Sequence, residues 1–225
     1  MKIDQNALKK HYMNHLKFII ILCFLISCKN EKEYVAERYE SNIPKVIIKN
    51  ADGVRYKYEY YETGNLKYKI LLKDSLMHGS YDMFFKDGKL MESGSFYRGL
   101  QQDTAISYFP SGKIKNIRYY IEGKMKVYRK YDTFGNKISE INDLNEKSFF
   151  WFKNGNLSAE VPRMEGNYFK YYENGGLKLR GYFEEGKKSG EFIHLKNNGD
   201  TSKVIVYREG TAIDSTLFKQ LVYAY

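Results

Sequence analysis

Two cysteines, four histidines, three prolines and one tryptophan are all that 225 residues hold of those types. Two cysteines cannot build a disulfide scaffold, and they cannot supply a structural zinc site, which takes about four ligands. The histidines are not paired at ligand spacing, which leaves little material for metal or nucleophilic chemistry. No apolar run reaches the roughly 20 residues that a membrane-spanning helix needs. A mean hydropathy of −0.60 excludes a multispanning membrane protein, while an apolar fraction of 43% excludes a wholly disordered chain. What abounds is tyrosine, 22 residues of it, together with 37 Lys+Arg against 27 Asp+Glu. Aromatic side chains favour pleated, half-buried surfaces, so this mixture points to β-structure. The length allows one or two ordinary domains or one elongated array.

The first 17 residues carry Lys2, Lys9, Lys10 and Lys17 against Asp4 alone. An apolar run, Phe18 to Ser27, follows; it is too short to span a bilayer as a helix but suits the h-region of a signal peptide. It ends in Leu25-Ile26-Ser27-Cys28, which resembles the lipobox of bacterial lipoproteins. The resemblance implies that residues 1–27 are a lipoprotein signal peptide and that Cys28 is lipidated, becoming the first residue of the mature chain. It also implies a membrane partner through that anchor and a place in the cell envelope, at the outer membrane, on its periplasmic or its surface face. Met13 offers a second start for the signal, and an uncleaved N-terminal anchor is the competing reading. Lys29 to Glu33 resembles the charged export signal of Bacteroidota-type lipoproteins. Without residues 1–27 the chain has 33 basic and 26 acidic residues. The lysines are spread evenly, as on a solvated face, and outside the cytoplasm no nucleic-acid partner is expected.

Glycines recur at Gly64, Gly88, Gly112, Gly135, Gly155, Gly175 and Gly199, with spacings of 24, 24, 23, 20, 20 and 24. Four residues before each stands a bulky apolar side chain: Tyr60, Phe84, Tyr108, Tyr131, Trp151, Tyr171 and Leu195. Asp87-Gly88, Asn154-Gly155, Asn174-Gly175 and Asn198-Gly199 supply residues that tolerate the positive φ of tight hairpin turns. Around them apolar and charged residues alternate, as in Val54, Tyr56, Tyr58 and Tyr60 between Arg55, Lys57 and Glu59. That period of two predicts strands. A second turn recurs midway, at residues 73–79, 98–103 and 185–190, so each unit is expected to give two strands and two turns of an antiparallel meander. The units of spacing 20 have this second turn abbreviated near residues 142–146 and 161–165, with Pro162 in a turn.

The stretch from Tyr171 to Gly190 resembles the bacterial MORN-repeat variant: an aromatic pair, then x-Asn-Gly-x-Leu, then an aromatic, x-x-Gly-Lys and Gly. Residues 60–79 and 84–103 follow the same scheme, and the likeness spans about residues 55–205. The resemblance implies an all-β fold, an elongated antiparallel β-meander of about seven tandem hairpin repeats. Some members of that family are classed as antitoxins of toxin–antitoxin systems. Three departures stand out. Residues 131–138 carry one extra residue at the turn, Asp103 replaces the usual Gly, and Leu195-Lys196 replaces paired aromatics in what reads as a capping unit.

These readings divide the chain into a signal peptide (1–27), a flexible tether (28–42), a repeat array (43–210) and a C-terminal cap (211–225). Residues 43–49 read as an edge strand, and residues 214–222 as a short capped helix or one last strand. The most visible constellation is the second aromatic of each pair, Tyr61, Phe85, Phe109, Phe152 and Tyr172. Neighbours along a strand point to opposite faces, so this row could form a half-exposed wall for a protein partner or a stacking platform for sugars. Ordinary cross-strand packing is the competing reading. His78 and His194 lie in or beside turns and read as solvent-facing. Glu59, Glu62, Glu92 and Glu173 could pair as acid and base, but no two differ from the repeat background. No metal, cofactor or catalytic centre is expected. The expected function is non-enzymatic binding or scaffolding of a protein partner at the envelope; an antitoxin-like neutraliser and a cell-wall glycan module are the alternatives.

Overall fold

The computed structural model describes residues 32–51 and 54–213; the sites expected at Cys28 and beyond residue 213 lie outside the described residues. Seventeen strands form one open antiparallel sheet. They are β1 (Lys32–Arg38), β2 (Pro44–Ala51), β3 (Val54–Tyr60), β4 (Leu66–Lys73), β5 (Leu76–Phe84) and β6 (Leu90–Tyr97). Next come β7 (Leu100–Tyr108), β8 (Ile114–Ile121), β9 (Lys124–Tyr131), β10 (Lys137–Asn142), β11 (Lys147–Trp151) and β12 (Leu157–Pro162). The last five are β13 (Gly166–Tyr171), β14 (Leu177–Glu184), β15 (Lys187–Leu195), β16 (Thr201–Arg208) and β17 (Thr211–Ile213). Each strand pairs with its sequence neighbours, as β1 does with β2 and β16 with β17. No described helix is long and apolar enough to cross a membrane. The all-β meander expected from the alternating pattern is the observed fold.

The seven recurring glycines form one edge of the sheet, here the upper edge. At each, the Gly N–H donates to the carbonyl three residues back, as Gly64 to Tyr61 at 2.9 Å and Gly175 to Tyr172 at 2.9 Å. Positive φ falls on the glycine alone, between 82° and 98°. The Asp or Asn before it works differently from the expectation. Its side chain accepts the N–H two residues on, as at Asp87 from Lys89, Asn154 from Asn156, Asn174 from Gly176 and Asn198 from Asp200, an Asx closure. Residues 131–138 hold no extra turn residue either: Asp132 and Asn136 close the same loop, and Lys137 stands where Leu66 stands in its unit.

The lower edge is built of two-residue turns with both central residues at positive φ: Asp74-Ser75, Arg98-Gly99, Glu122-Gly123, Glu185-Gly186 and Glu209-Gly210. This mirror-image turn matches the twist of a hairpin. Gly79 and Gly190 therefore are not turn residues. They stand four beyond the lower turn at bulges in β5 and β15, and Asp103 holds the same left-handed conformation, φ 60°, in β7.

Two further corrections concern the N-terminal side. Residues 32–38, assigned to a flexible tether, form β1, whose Glu33 and Glu37 pair with Lys49 and Lys45 across the ladder. β2 is consequently an interior strand, because β1 covers it. The turn between them, residues 39–43, repeats the upper-edge pattern: Tyr39 N–H donates to Ile43 O and Asn42 N–H to Tyr39 O, with Asn42 at φ 64° in the glycine position. It is an eighth upper turn, hidden because Asn stands for Gly. At the far end, the first residues of the expected cap form β17.

Candidate binding surface

A single sheet has no second layer, so burial comes from neighbours along the row. Directly paired residues share a face. On one face, here the front, a central row runs Ile48–Lys57–Ile70–Tyr81–Gly94, then Ala105–Arg118–Tyr128–Ile141–Ser148–Val161, then Tyr168–Gly181 and Phe192–Ile205. Large side chains alternate with small ones where the row is tightest. A Cβ on Gly94 would lie 2.8 Å from the Tyr81 ring, and one on Gly181 would lie 2.6 Å from the Phe192 ring. The rings cover the glycine backbone, and both Tyr81 and Phe192 are buried.

The two clusters then diverge. Phe192 sits among Tyr168, Phe183 and Tyr207, at ring distances of 6.1, 5.9 and 4.9 Å, and has no polar atom to place. Tyr81 packs beside Tyr68 and Phe96 at 6.0 and 5.1 Å, and its hydroxyl donates to Glu92 at 2.6 Å. Glu92 is also ion-paired with Arg118, and both are half-buried. Gln101 donates to the Tyr81 hydroxyl at 3.4 Å. Beyond Arg118, Tyr128 donates to Asn116 at 2.8 Å and Asn116 to Ser107 at 3.1 Å. A polar band thus crosses the front from β5 to β9.

The electrostatics follow from this packing. Burial, then the hydrogen bond to Glu92, pushes the Tyr81 phenol well above its ordinary range. Burial likewise pushes Tyr68 up to about 12. Desolvation opposes the Arg118 charge, yet Glu92 more than offsets it and the guanidinium is held above its ordinary value. Beside this band a groove of about 370 Å³ opens on the front of β3–β7. Its floor is Tyr68, Met77, Met83 and Phe96, and Glu59, Glu92 and Gln101 form polar walls. Methionines beside aromatic rings make a soft floor that adapts to differently shaped apolar side chains.

The five aromatics predicted from sequence lie elsewhere, along the upper edge. Tyr61, Phe85, Phe109, Phe152 and Tyr172 are all half-buried first residues of upper turns, just past the strand ends, so strand alternation does not govern them. Tyr61 donates its hydroxyl to Phe84 O and Tyr172 to Leu195 O, each the carbonyl one unit ahead. Tyr39 does the same to Tyr60 O. Lysines lie against three of the five: Lys67 near Tyr61, Lys115 near Phe109 and Lys178 near Tyr172. Trp151 has Lys137 over its ring at 3.9 Å. The tyrosines of this edge thus tie successive units together.

Of the candidate carboxylates, Glu59 and Glu92 come together in the front groove, Glu59 ion-paired with Lys67 at 2.6 Å. Glu62 and Glu173 stay apart on the upper edge, where Glu62 accepts Ser41. His78 is half-buried beside Tyr97, ring to ring at 5.3 Å, and not solvent-facing; His194 is half-buried as well. Arg118, Tyr128, Asn116 and the two methionines were missed from sequence. For Arg118 and Tyr128 the available signal was their front-row register, six residues after Gly112 and seven before Gly135.

Among solved structures, TarM of S. aureus, as a mutant complexed with Fondaparinux, alpha-GlcNAc-glycerol and UDP, is 18% identical with a TM-score of 0.32. A second TarM structure is 19% identical with a TM-score of 0.31. Both alignments cover 67% of this chain and 24% of TarM, so the chain spans about a quarter of TarM's length. A porin-like protein from Bacteroides uniformis is 10% identical with a TM-score of 0.20, covering 82% of this chain and 92% of that one. None of these scores supports a shared fold or activity. No curated protein matches the chain in sequence. The MORN repeat variant family matches residues 57–74, which run from β3 through an upper turn and β4 to the next lower turn. The chain therefore carries a MORN repeat variant, set in a single antiparallel sheet of hairpins.

Proposed function

We propose that this is a non-enzymatic, lipid-anchored envelope protein whose β-repeat array offers a binding or scaffolding surface to a protein partner. The observation that carries the reading is the front groove, an apolar floor of Met77, Met83, Tyr68 and Phe96 with polar walls, open on a broad sheet face. Such a groove accepts an apolar side chain of a partner while Glu59, Glu92 and Gln101 accept or donate hydrogen bonds at its rim. The anchor follows from the resemblance of Leu25–Cys28 to a lipobox.

The test has two arms. Metabolic labelling with a fatty-acid analogue should mark the wild type and fail on Cys28→Ala; equal labelling of both removes the anchor. Pull-down from detergent extracts of the host should recover an envelope protein with wild type and lose it with Met83→Glu, at unchanged far-UV circular dichroism. Retention of the same partners by Met83→Glu would overturn the binding surface. The glycan reading is weakened by the lysines that already lie against Tyr61, Phe109, Tyr172 and Trp151.

A further inference from the structure

The two long edges of the sheet differ in polarity. Upper turns are rich in Asn, Asp, Lys and Glu, with Phe134, 77% exposed, as the apolar exception. Beside the lower turns an apolar side chain stands in most units: Leu76 and Leu100 directly after their turns, Leu144 and Met164 within theirs, and Met125 one residue further along and on the opposite face to Leu100, each between 43% and 59% exposed. Three of them have a structural task. Leu76 packs against Gly99 of the next turn, Leu100 against Gly123 and Met164 against Gly186. That task does not require an apolar tip, because Lys187 packs against Gly210 in the same way with its aliphatic stem. The apolar ends are therefore surplus to the packing. The stripe from Leu76 to Met164 spans eight strand spacings, about 38 Å.

The chain enters the sheet at this same edge. β1 pairs with β2 so that Lys32 lies opposite Asn50, at the lower end of the ladder. Cys28 precedes Lys32 by four residues, a reach of at most about 14 Å. Leu76 follows β1 by some three to four strand spacings, about 17 Å along the sheet. Basic and acidic residues are interspersed along these turns, as in Asp74 near Lys73, Asp143 paired with Arg163 and Glu185 near Lys187, so apolar contact and not net charge would govern the docking.

We infer that the lower edge docks on the lipid surface, with Leu76 and Leu100 nearest the anchored end entering the headgroup boundary, and that the upper turns face away from the membrane. This rests on the lipid-anchor reading above. The occupant is lipid because the anchored end and the apolar stripe share one edge. An array standing upright on its first strand would leave that stripe in water. Sheet twist brings only part of the stripe to a plane at once, so contact should be strongest beside β1.

The experiment uses the full lipidated protein in protein-free vesicles of phosphatidylethanolamine and phosphatidylglycerol. A polarity-sensitive fluorophore is placed at Leu100→Cys on the lower edge or Lys153→Cys on the upper edge, and doxyl-labelled lipid is added as quencher. The expected result is a blue-shifted, quenched label at position 100 and an unshifted, unquenched one at 153, unaffected by salt. The companion variant Leu76→Lys, which copies the side chain tolerated at 187, should keep its circular dichroism and reduce quenching at 100 severalfold. Equal behaviour at 100 and 153, with the fatty-acid label present, overturns docking while leaving the anchor standing. Quenching at 100 that appears only in native, protein-containing membranes makes the occupant a protein and overturns the lipid assignment. Absence of the fatty-acid label overturns the anchor reading and this inference with it.

Discussion

The upper and lower edges close the same hairpins by different means. Each glycine-bearing upper turn closes its own backbone: the glycine N–H bonds within the loop, at five of the seven an Asp or Asn side chain completes the closure, and links to the next unit, such as Tyr61 to Phe84 O, come from side chains. Each described lower turn from Arg98-Gly99 onward leans on its predecessor. Gly99 N–H donates to Met77 O, Gly123 to Gln101 O, Gly186 to Met164 O and Gly210 to Lys188 O, so the lower turns are joined in series. In the short units Asp143 N–H and Arg163 N–H make the same link, to Lys126 O and Glu146 O. Backbone links in series at the lower edge and side-chain links alone at the upper one are how this one-layer array gains cooperativity between units.

The largest effect should come from breaking a lower link. Gly99→Pro removes the N–H that reaches Met77 and demands a negative φ where the chain has 81°; a loss of about 3 kcal/mol or more is expected. Chemical denaturation should show a broadened transition as the units on either side uncouple. Gly155→Ala is the upper-edge counterpart. Its φ is 88° with nothing within 4 Å of a new Cβ, so only backbone strain remains, about 1 kcal/mol, with the transition still sharp. Equal broadening in both variants would break the contrast between edges.

Ser75 occupies at φ 65° the position that glycine fills in the other two-residue lower turns. Ser75→Gly should stabilise by roughly 0.5–1 kcal/mol, and hydrogen exchange of the neighbouring Leu76 amide should slow. The smallest effect at neutral pH lies between the edges. Tyr68 has its phenol raised by burial from 10.0 to about 12, and Tyr81 is raised further, so the folded state disfavours both tyrosinates. Stability from this source is fully present below pH 10 and is lost as pH climbs from 10 through 12. Denaturation midpoints across that window, paired with tyrosinate absorbance, should fall together; a flat midpoint would show these phenols are not buried in solution.

How much was legible in advance depended on where the signal was local. Alternation in β3, with Tyr56, Tyr58 and Tyr60 between charged residues, and glycine at seven upper turns, named the strands and the unit length. The turn at residues 39–43 escaped because Asn42 can adopt the left-handed conformation without being glycine. β1 escaped because five of its seven residues, Lys32, Glu33, Tyr34, Glu37 and Arg38, read as solvated tether, and its order comes from pairing with β2. The links made by Tyr61 and Tyr172 were hidden for the same reason: nothing local says that the Tyr61 hydroxyl meets Phe84 O, 23 residues away.

The amino-acid order by itself determined period, strand type and upper-turn position, because those follow from side-chain alternation and from the φ that glycine alone adopts freely. Which residues meet across the front face was decided by the assembled sheet. Pairing register sets Tyr81 above Gly94 and beside Glu92, and register is a property of strands that are far apart in the chain until the ladder forms.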